Sequence, residues 1–343
     1  MTKPQQPSNS HRSSIVSLQS SAPLATRPSS ARFNRVSGFT LIELMIALAL
    51  GLLVVAAAIA IFISSQRSLS LQAGMGEVQE NANFGLAQIA HDLRHANLNT
   101  ASNQYIDAHS YGSGIIFTAE NLPATITAWK TDYVSAQDKD NDNTENKSDR
   151  LTIQYVPVTD EVITCTGETL GSATNKVLIQ RYYLKKSPKQ VTGEPTAYSL
   201  MCDAGWYPTG GGAITGLNVD GGEQLMQRVD AFKVQVSVKL PSGNRRYVGL
   251  NEYLTKQNEI KAACTAAATT CEYWQILAVE IGILARSTGA IGSNAALNTQ
   301  TEYTLAGTKV TLDGSAGKDA LNKKYLRQAV NQVIAFRNTL GAE

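Results

Sequence analysis

No acidic side chain precedes Glu43. The first 38 residues hold Lys3, Arg12, Arg27, Arg32 and Arg35 among Ser, Pro and Gln, a composition too poor in apolar surface to fold, and this predicts a basic, disordered leader. Beyond the leader the balance reverses, with 25 basic against 28 acidic side chains in residues 39–343, which argues against a surface built to follow nucleic-acid phosphates. The chain also lacks Cys-x-x-Cys spacing, a Gly-x-Ser-x-Gly elbow, a dinucleotide fingerprint and any internal repeat. Gly314-Ser315-Ala316-Gly317-Lys318 misses the phosphate-loop spacing, and Asp319 stands where Ser or Thr is required, so it reads as a turn. No nucleophile, base and orienting group can be proposed together, and the chain is read as non-enzymatic.

What is present begins at Ser37-Gly38-Phe39-Thr40-Leu41-Ile42-Glu43-Leu44. From Phe39 to Ile63 runs an apolar stretch of 25 residues, about 37 Å as a helix and enough to cross a hydrocarbon core of about 30 Å with some tilt. It is too long for the core of a secretory signal, and Ser64-Ser65-Gln66-Arg67 follows without an Ala-x-Ala-like cleavage site, so the span is expected to be retained. Basic flanks predict a cytoplasmic N-terminus and an exported body. Glu43 is the exception in the stretch; an ionised acid in a span is costly and therefore a functional candidate.

Past the span, Leu71, Met75, Val78, Ala82, Leu86, Ile89 and Leu93 recur at helical spacing, with Gln72, Glu77, Gln79, Glu80, Gln88, Asp92 and Arg94 on the polar side. One nearly continuous helix from about 39 to 97 is expected, with Gly74, Gly76 and Gly85 as places to bend or fray. After Asn97 the segments become short and β-branched. Strands are expected at 115–118, 151–158, 176–184, 197–202, 231–240, 246–250, 275–285, 303–312 and 324–336, the last with a helix as its alternative over 326–336. Strict alternation over 232–240 predicts one buried and one wet face. Polar or Gly-rich insertions are expected at 136–149, 209–222, 256–272 and 287–300. The fold class is α+β: a long N-terminal helix, spanning the membrane with its first half, packed on an antiparallel β-sheet head. The domain plan is 1–38 leader, 39–98 helix with 39–63 in the membrane, and 99–343 β-rich head.

Four cysteines in an exported body suit two structural disulfides. Among three connectivities the favoured one joins Cys264 to Cys271 across a short loop and Cys165 to Cys202 as a longer clamp. Residues 138–149 place oxygen-bearing side chains at calcium-loop spacing, so Asp138, Asp140, Asp142 and Asp149 are the residues a calcium ion would take. Asn143 replaces the turn glycine and Asp149 the bidentate Glu, and a solvated polar loop is the favoured reading. No other cofactor is indicated. His91 and His95 share a helical face at i and i+4, but Asp92 stands where a zinc protease needs Glu and only His109 remains in the body; a solvated or core-flanking pair is favoured over a zinc site. Trp129, Tyr182, Tyr183, Trp206, Tyr207 and Trp274 read as core or surface-loop aromatics.

Gly38-Phe39-Thr40-Leu41-Ile42-Glu43-Leu44 before an apolar helix and a β-rich body resembles the signal of type IV pilins and type II secretion pseudopilins. Within that superfamily the body is similar to the PilW-type minor pilins, on Ser148-Asp149 leading into Leu151-Thr152-Ile153-Gln154-Tyr155, on Cys165 and Cys202, and on Leu326-Arg327 to Phe336-Arg337-Asn338. The 38-residue leader is longer than usual for the family, and Ala60 stands near where many major pilins have a kinking proline. The resemblance implies cleavage by a prepilin peptidase after Gly38 and methylation of the new amine on Phe39. It also implies that Glu43 pairs with the N-terminal amine of a neighbouring subunit, setting axial register. Implied partners are other minor pilins, the major pilin and an inner-membrane assembly platform. The implied setting is the inner membrane with a periplasmic head, then the pilus surface, in filaments that serve attachment and twitching motility. The expected role is a minor pilin in a priming or tip complex. The alternatives are a type II secretion pseudopilin, or a tip adhesin using the loops at 138–149 and 209–222.

Overall fold

The computed structural model describes residues 38–100, 105–126, 129–138, 147–219, 221–291, 300–312 and 322–339. The leader up to Ser37, Asp140, Asp142 and the Gly314–Lys318 turn lie outside the described residues. The chain divides into two compact units, 1–58 and 59–343, and helix α1, Leu41–His95, is shared between them.

In the first unit, residues 38–40 precede the helix without regular structure, and every side chain from Leu41 to Ala58 is exposed. Leu, Ile, Ala and Val fill this part with no proline to interrupt it. A helix satisfies every backbone polar group internally, which is what a segment in lipid requires.

The second unit takes in the rest of α1 and the β-rich body. Here α1 buries Gly74, Val78, Ala82, Gly85, Leu86, Ile89, Ala90 and Leu93. Met75, expected on this stripe, is 45% exposed, and Gly74 takes the inward place beside Ile291 and Ser287. Nor do the glycines break the helix. Gly85 is a contact point: a Cβ there would stand 2.0 Å from Met226 Sδ, so only glycine lets this side chain lie against the helix backbone.

Two four-stranded antiparallel sheets form the body. The first comprises β1 (Leu151–Tyr155), β4 (Lys176–Lys186), β5 (Tyr198–Pro208) and β6 (Glu223–Gln227) in the order β1-β4-β5-β6. A small hairpin, β2 (Val162–Ile163) with β3 (Thr169–Leu170), fills the connection after β1. The second sheet comprises β7 (Val229–Lys239), β8 (Arg245–Gly249), β9 (Gln275–Arg286) and β12 (Arg327–Ala335) in the order β12-β9-β7-β8. Helix α2 (Leu250–Ala267) follows β8, and β10 (Glu302–Leu305) pairs with β11 (Thr308–Thr311). One core joins α1 to both sheets: Leu86, Ile89 and Leu93 meet Ile153, Tyr182 and Leu200 of the first and Phe232, Val234 and Ile281 of the second.

The expected helix and most strands are present, and the fold is the α+β arrangement read from the sequence. Several details differ. Residues 115–118 form no strand; Ile115 makes a single bridge to Ile153, and a 3-10 turn at Ala119–Asn121 follows, capped by Thr118 and Asn121. Most of the presumed loop 256–272 is α2, whose inner face carries Leu250, Tyr253, Gln257 and Cys264 at helical spacing. Segment 303–312 is a hairpin turned by Ala306 and Gly307, both at positive φ. The C-terminal alternative resolves to strand β12. Lys233, expected on a wet face, is 3% exposed.

Candidate functional site

Gly38 and Phe39, singled out for processing, lie just before α1, and Glu43, singled out for assembly, lies in its first turn. Among the described residues a Cβ at Gly38 would meet nothing within 4 Å, and Phe39 is 86% exposed. Thr40 caps the helix: its Oγ1 accepts from the Glu43 N–H at 3.2 Å, and its carbonyl accepts from the Leu44 N–H at 3.2 Å. Thr40-Leu41-Ile42-Glu43 thus has the Thr-x-x-Glu pattern of a capping box, a local signal that the sequence reading left unused. Glu43 is the third helical residue. It stands at the end of the apolar stretch, where insertion costs a charge less than at mid-span and where the helix dipole favours a carboxylate. Among the described residues no side chain pairs with that carboxylate.

Both disulfides lie in the body. Cys165 is bonded to Cys202 of β5, and Cys264, near the end of α2, to Cys271.

The described members of the calcium-spaced set serve as a joint between the sheets. β8 pairs with β7 only from Gln235 onward. Asp149 takes the neighbouring place earlier in β7: its N–H donates to Phe232 O at 2.8 Å, and its Oδ2 accepts from Val234 N–H at 2.8 Å. Its Oδ1 accepts from the Asp138 N–H at 3.0 Å and faces Lys233 Nζ at 3.2 Å. Lys233 also reaches Asp138 Oδ1 at 2.5 Å and the carbonyl of Lys147. Burial raises the Asp149 carboxyl to about 6, against the opposing pull of Lys233 and two backbone N–H groups. Asp138 and Asp149 therefore already face a cation supplied by the chain.

The histidine pair stays on the helix. His91 Nδ1 lies 3.2 Å from Asp92, His95 Nδ1 lies 3.0 Å from the His91 carbonyl, and the His95 ring stacks on Tyr155. His109 is elsewhere, against Glu120 and Tyr273. Among the described residues no three His, Cys, Asp or Glu side chains gather as a metal site. Asp92, expected on the polar side of α1, is buried and accepts from Tyr182 Oη at 2.5 Å. The Gly-rich segment 209–222 is tied to the first sheet, since the buried Arg181 donates to the carbonyls of Asn218 and Val219. Tyr182, Tyr183, Tyr207 and Trp274 are buried, and Trp129 and Trp206 are half-buried.

Residues 33–59 match the family model described as the prokaryotic N-terminal methylation motif. No curated protein matches the chain. Among solved structures, the type IV-like pilin TTHA1219 from Thermus thermophilus is similar at 14% identity and a TM-score of 0.31, over 76% of this chain and 96% of that one. Among the described residues α1 is the one helix long and apolar enough to cross a membrane. The methylation motif covers the start of that helix, with Gly38, Phe39 and Glu43 all inside the matched segment.

Proposed function

We propose that this chain is a type IV pilin-like assembly subunit, and within that class a minor pilin rather than an enzyme. A prepilin peptidase cuts after Gly38 and the new amine on Phe39 is methylated. The apolar half of α1 holds the subunit in the inner membrane, N-terminus in the cytoplasm and body in the periplasm, until it joins other minor pilins and the major pilin. Glu43 then meets the amine of a neighbour, and the body selects partners for a priming or tip complex. The observation that carries this reading is the methylation motif over residues 33–59, set at the start of a membrane-length helix. The test is mass spectrometry of filaments sheared from cells. A peptide beginning at methylated Phe39 is expected, and its absence from filaments, with normal filaments in a deletion strain, would overturn the reading.

The same motif and helix suit a type II secretion pseudopilin. A deletion that keeps surface filaments but stops enzyme secretion selects that second role.

A further inference from the structure

Beside the start of β9 the body opens into a cavity of about 440 Å³, within the roughly 300 to 1,000 Å³ range of small-molecule sites. Its floor follows from extended-chain geometry. The Ile276 N–H donates to Ile106 O at 2.9 Å, so these two segments adjoin, and Lys239 of β7 stands opposite Gln275. Side chains alternate along such segments. Ile106, Trp274 and Ile276 turn into the core. That leaves Tyr105, Asp107, Tyr273 and Gln275 to line the cavity, with Lys239 and Glu272 at its side.

The lining is held in place before any ligand arrives. The Tyr273 ring centre lies 5.1 Å from that of His109, whose Nδ1 is 3.1 Å from Glu120 Oε2, and Glu120 in turn pairs with Lys261 of α2. The Cys264–Cys271 bond ties the approach to Tyr273 onto α2. The Trp274 carbonyl accepts from Tyr253 Oη at 3.1 Å and Gln257 Nε2 at 3.3 Å. Asp107 is fixed by its own turn, accepting from the N–H groups of His109 at 2.8 Å and Ser110 at 2.6 Å. Burial raises the Tyr273 phenol above its ordinary value, against a smaller pull from Lys261. It therefore stays a neutral hydrogen-bond donor.

We propose that this cavity binds a saccharide, with Tyr105 and Tyr273 offering ring surfaces to the sugar and Gln275, Lys239 and Glu272 bonding its hydroxyls. Tyrosine combines a flat apolar body with a polar tip, which suits a pyranose with one C–H face and a hydroxyl rim. An amide, an ammonium and a carboxylate together supply the donors and acceptors that hydroxyl groups need. One lysine against two carboxylates leaves no excess positive charge for a phosphate, and the lining is too polar for a lipid chain. The site goes beyond the assembly role and does not depend on it.

The experiment uses the full chain in lauryldimethylamine oxide, so that no sugar-headed detergent competes. Lactose, N,N′-diacetylchitobiose and 3′-sialyllactose are titrated by saturation-transfer NMR and calorimetry, with triglycine as the non-sugar control, and an oligosaccharide array widens the search. Binding of at least one sugar is expected, weakened by about tenfold or more in Tyr273→Ala and in Gln275→Ala and much less in Tyr273→Phe. Tyr247→Ala, an exposed tyrosine on β8 outside the cavity, should bind as the parent does. Near-UV circular dichroism establishes that each variant is folded; if Tyr273→Ala is not, Gln275→Ala decides. No binding across the array, binding that survives the Gln275→Ala change, equal loss in Tyr247→Ala, or binding of triglycine alone would overturn the proposal.

Discussion

Tyr182 on β4 donates its phenol hydrogen to Asp92 on α1 across 2.5 Å, with both side chains buried. Asp92 also receives Gln88 Nε2 at 3.4 Å and lies 3.2 Å from His91 Nδ1. Burial, reinforced by the neighbouring Asp92 charge, holds the Tyr182 phenol far above its ordinary value, so it remains a donor at any physiological pH. Tyr182→Phe removes that donor and leaves the shape intact. A loss of about 1–3 kcal/mol is expected in urea melts. A loss below about 0.5 kcal/mol would show that Gln88 and His91 satisfy Asp92 unaided.

Gly85 and Met226 should behave as one unit. Alanine is the better helix former, yet a Cβ at 85 would meet Met226 Sδ at 2.0 Å and Cγ at 2.1 Å. Gly85→Ala is expected to destabilise by about 1–3 kcal/mol through overpacking. Met226→Ala vacates the space, so adding Gly85→Ala to it should cost little or restore some stability. Additive losses in the double-mutant cycle would refute the contact.

Asp149 predicts a particular pH dependence. Its folded value of about 6 lies above the ordinary 3.8. Between these values the folded chain holds a proton that the unfolded chain has released. The stability that this group contributes is thus fully present below about pH 4 and is lost as pH rises through about 6. Asp149→Asn has no such titration. Parent stability minus that of the variant should decline by on the order of 2–3 kcal/mol between about pH 4 and pH 6.5, measured by denaturant melts. A flat difference would place the Asp149 carboxyl at its ordinary value despite its burial, with Lys233 and the backbone N–H groups offsetting the whole desolvation cost.

The two disulfides should differ in weight. Cys165–Cys202 closes a sequence separation of 37 and Cys264–Cys271 one of 7. Chain-entropy reasoning gives about 4 kcal/mol for the longer and about 2 kcal/mol for the shorter. Thermal melts of the paired Cys→Ala variants should rank in that order, and the reverse order would point to packing around α2 as the larger effect.

Under the assembly reading, Glu43→Ala should still be cut after Gly38, since the bond stands apart from the carboxylate in sequence. Recovery in sheared filaments should collapse, because the neighbour's amine would be left in a dry setting without a partner. Normal recovery would remove Glu43 from the assembly contact.

The long helix was legible because its signals are local: an apolar run to Ile63 with Glu43 as its exception, then a stripe at spacings of three and four. Strands such as β7 and β9 announced themselves through β-branched alternation. Three features did not. α2 was hidden because Gln257, a polar side chain, occupies its inner face and Ala and Thr fill its end. Lys233 sits on the face that alternation assigns to water, and its burial depends on Asp149, which lies 84 positions earlier. β6 has the sequence Glu-Gln-Leu-Met-Gln, whose composition favours helix, and it becomes a strand because β5 offers it an edge. Among the site residues, the motif around Gly38 and Glu43 could be read directly. The cavity could not, since Tyr105 and Tyr273 come to line one cavity where the Ile276 N–H bonds to the Ile106 carbonyl, between segments 170 positions apart.

The glycine-bearing stripe of α1 also bears on how the body can be produced as a soluble fragment. Val78, Ala82, Leu86, Ile89 and Leu93 belong to the main core, not to a stalk beneath it. A fragment starting at residue 99 would strip the buttress from both sheets, bare Ile153, Leu200 and Phe232 to water, and invite proteolysis and aggregation. Starting near residue 64 would drop the greasy half and keep the core whole.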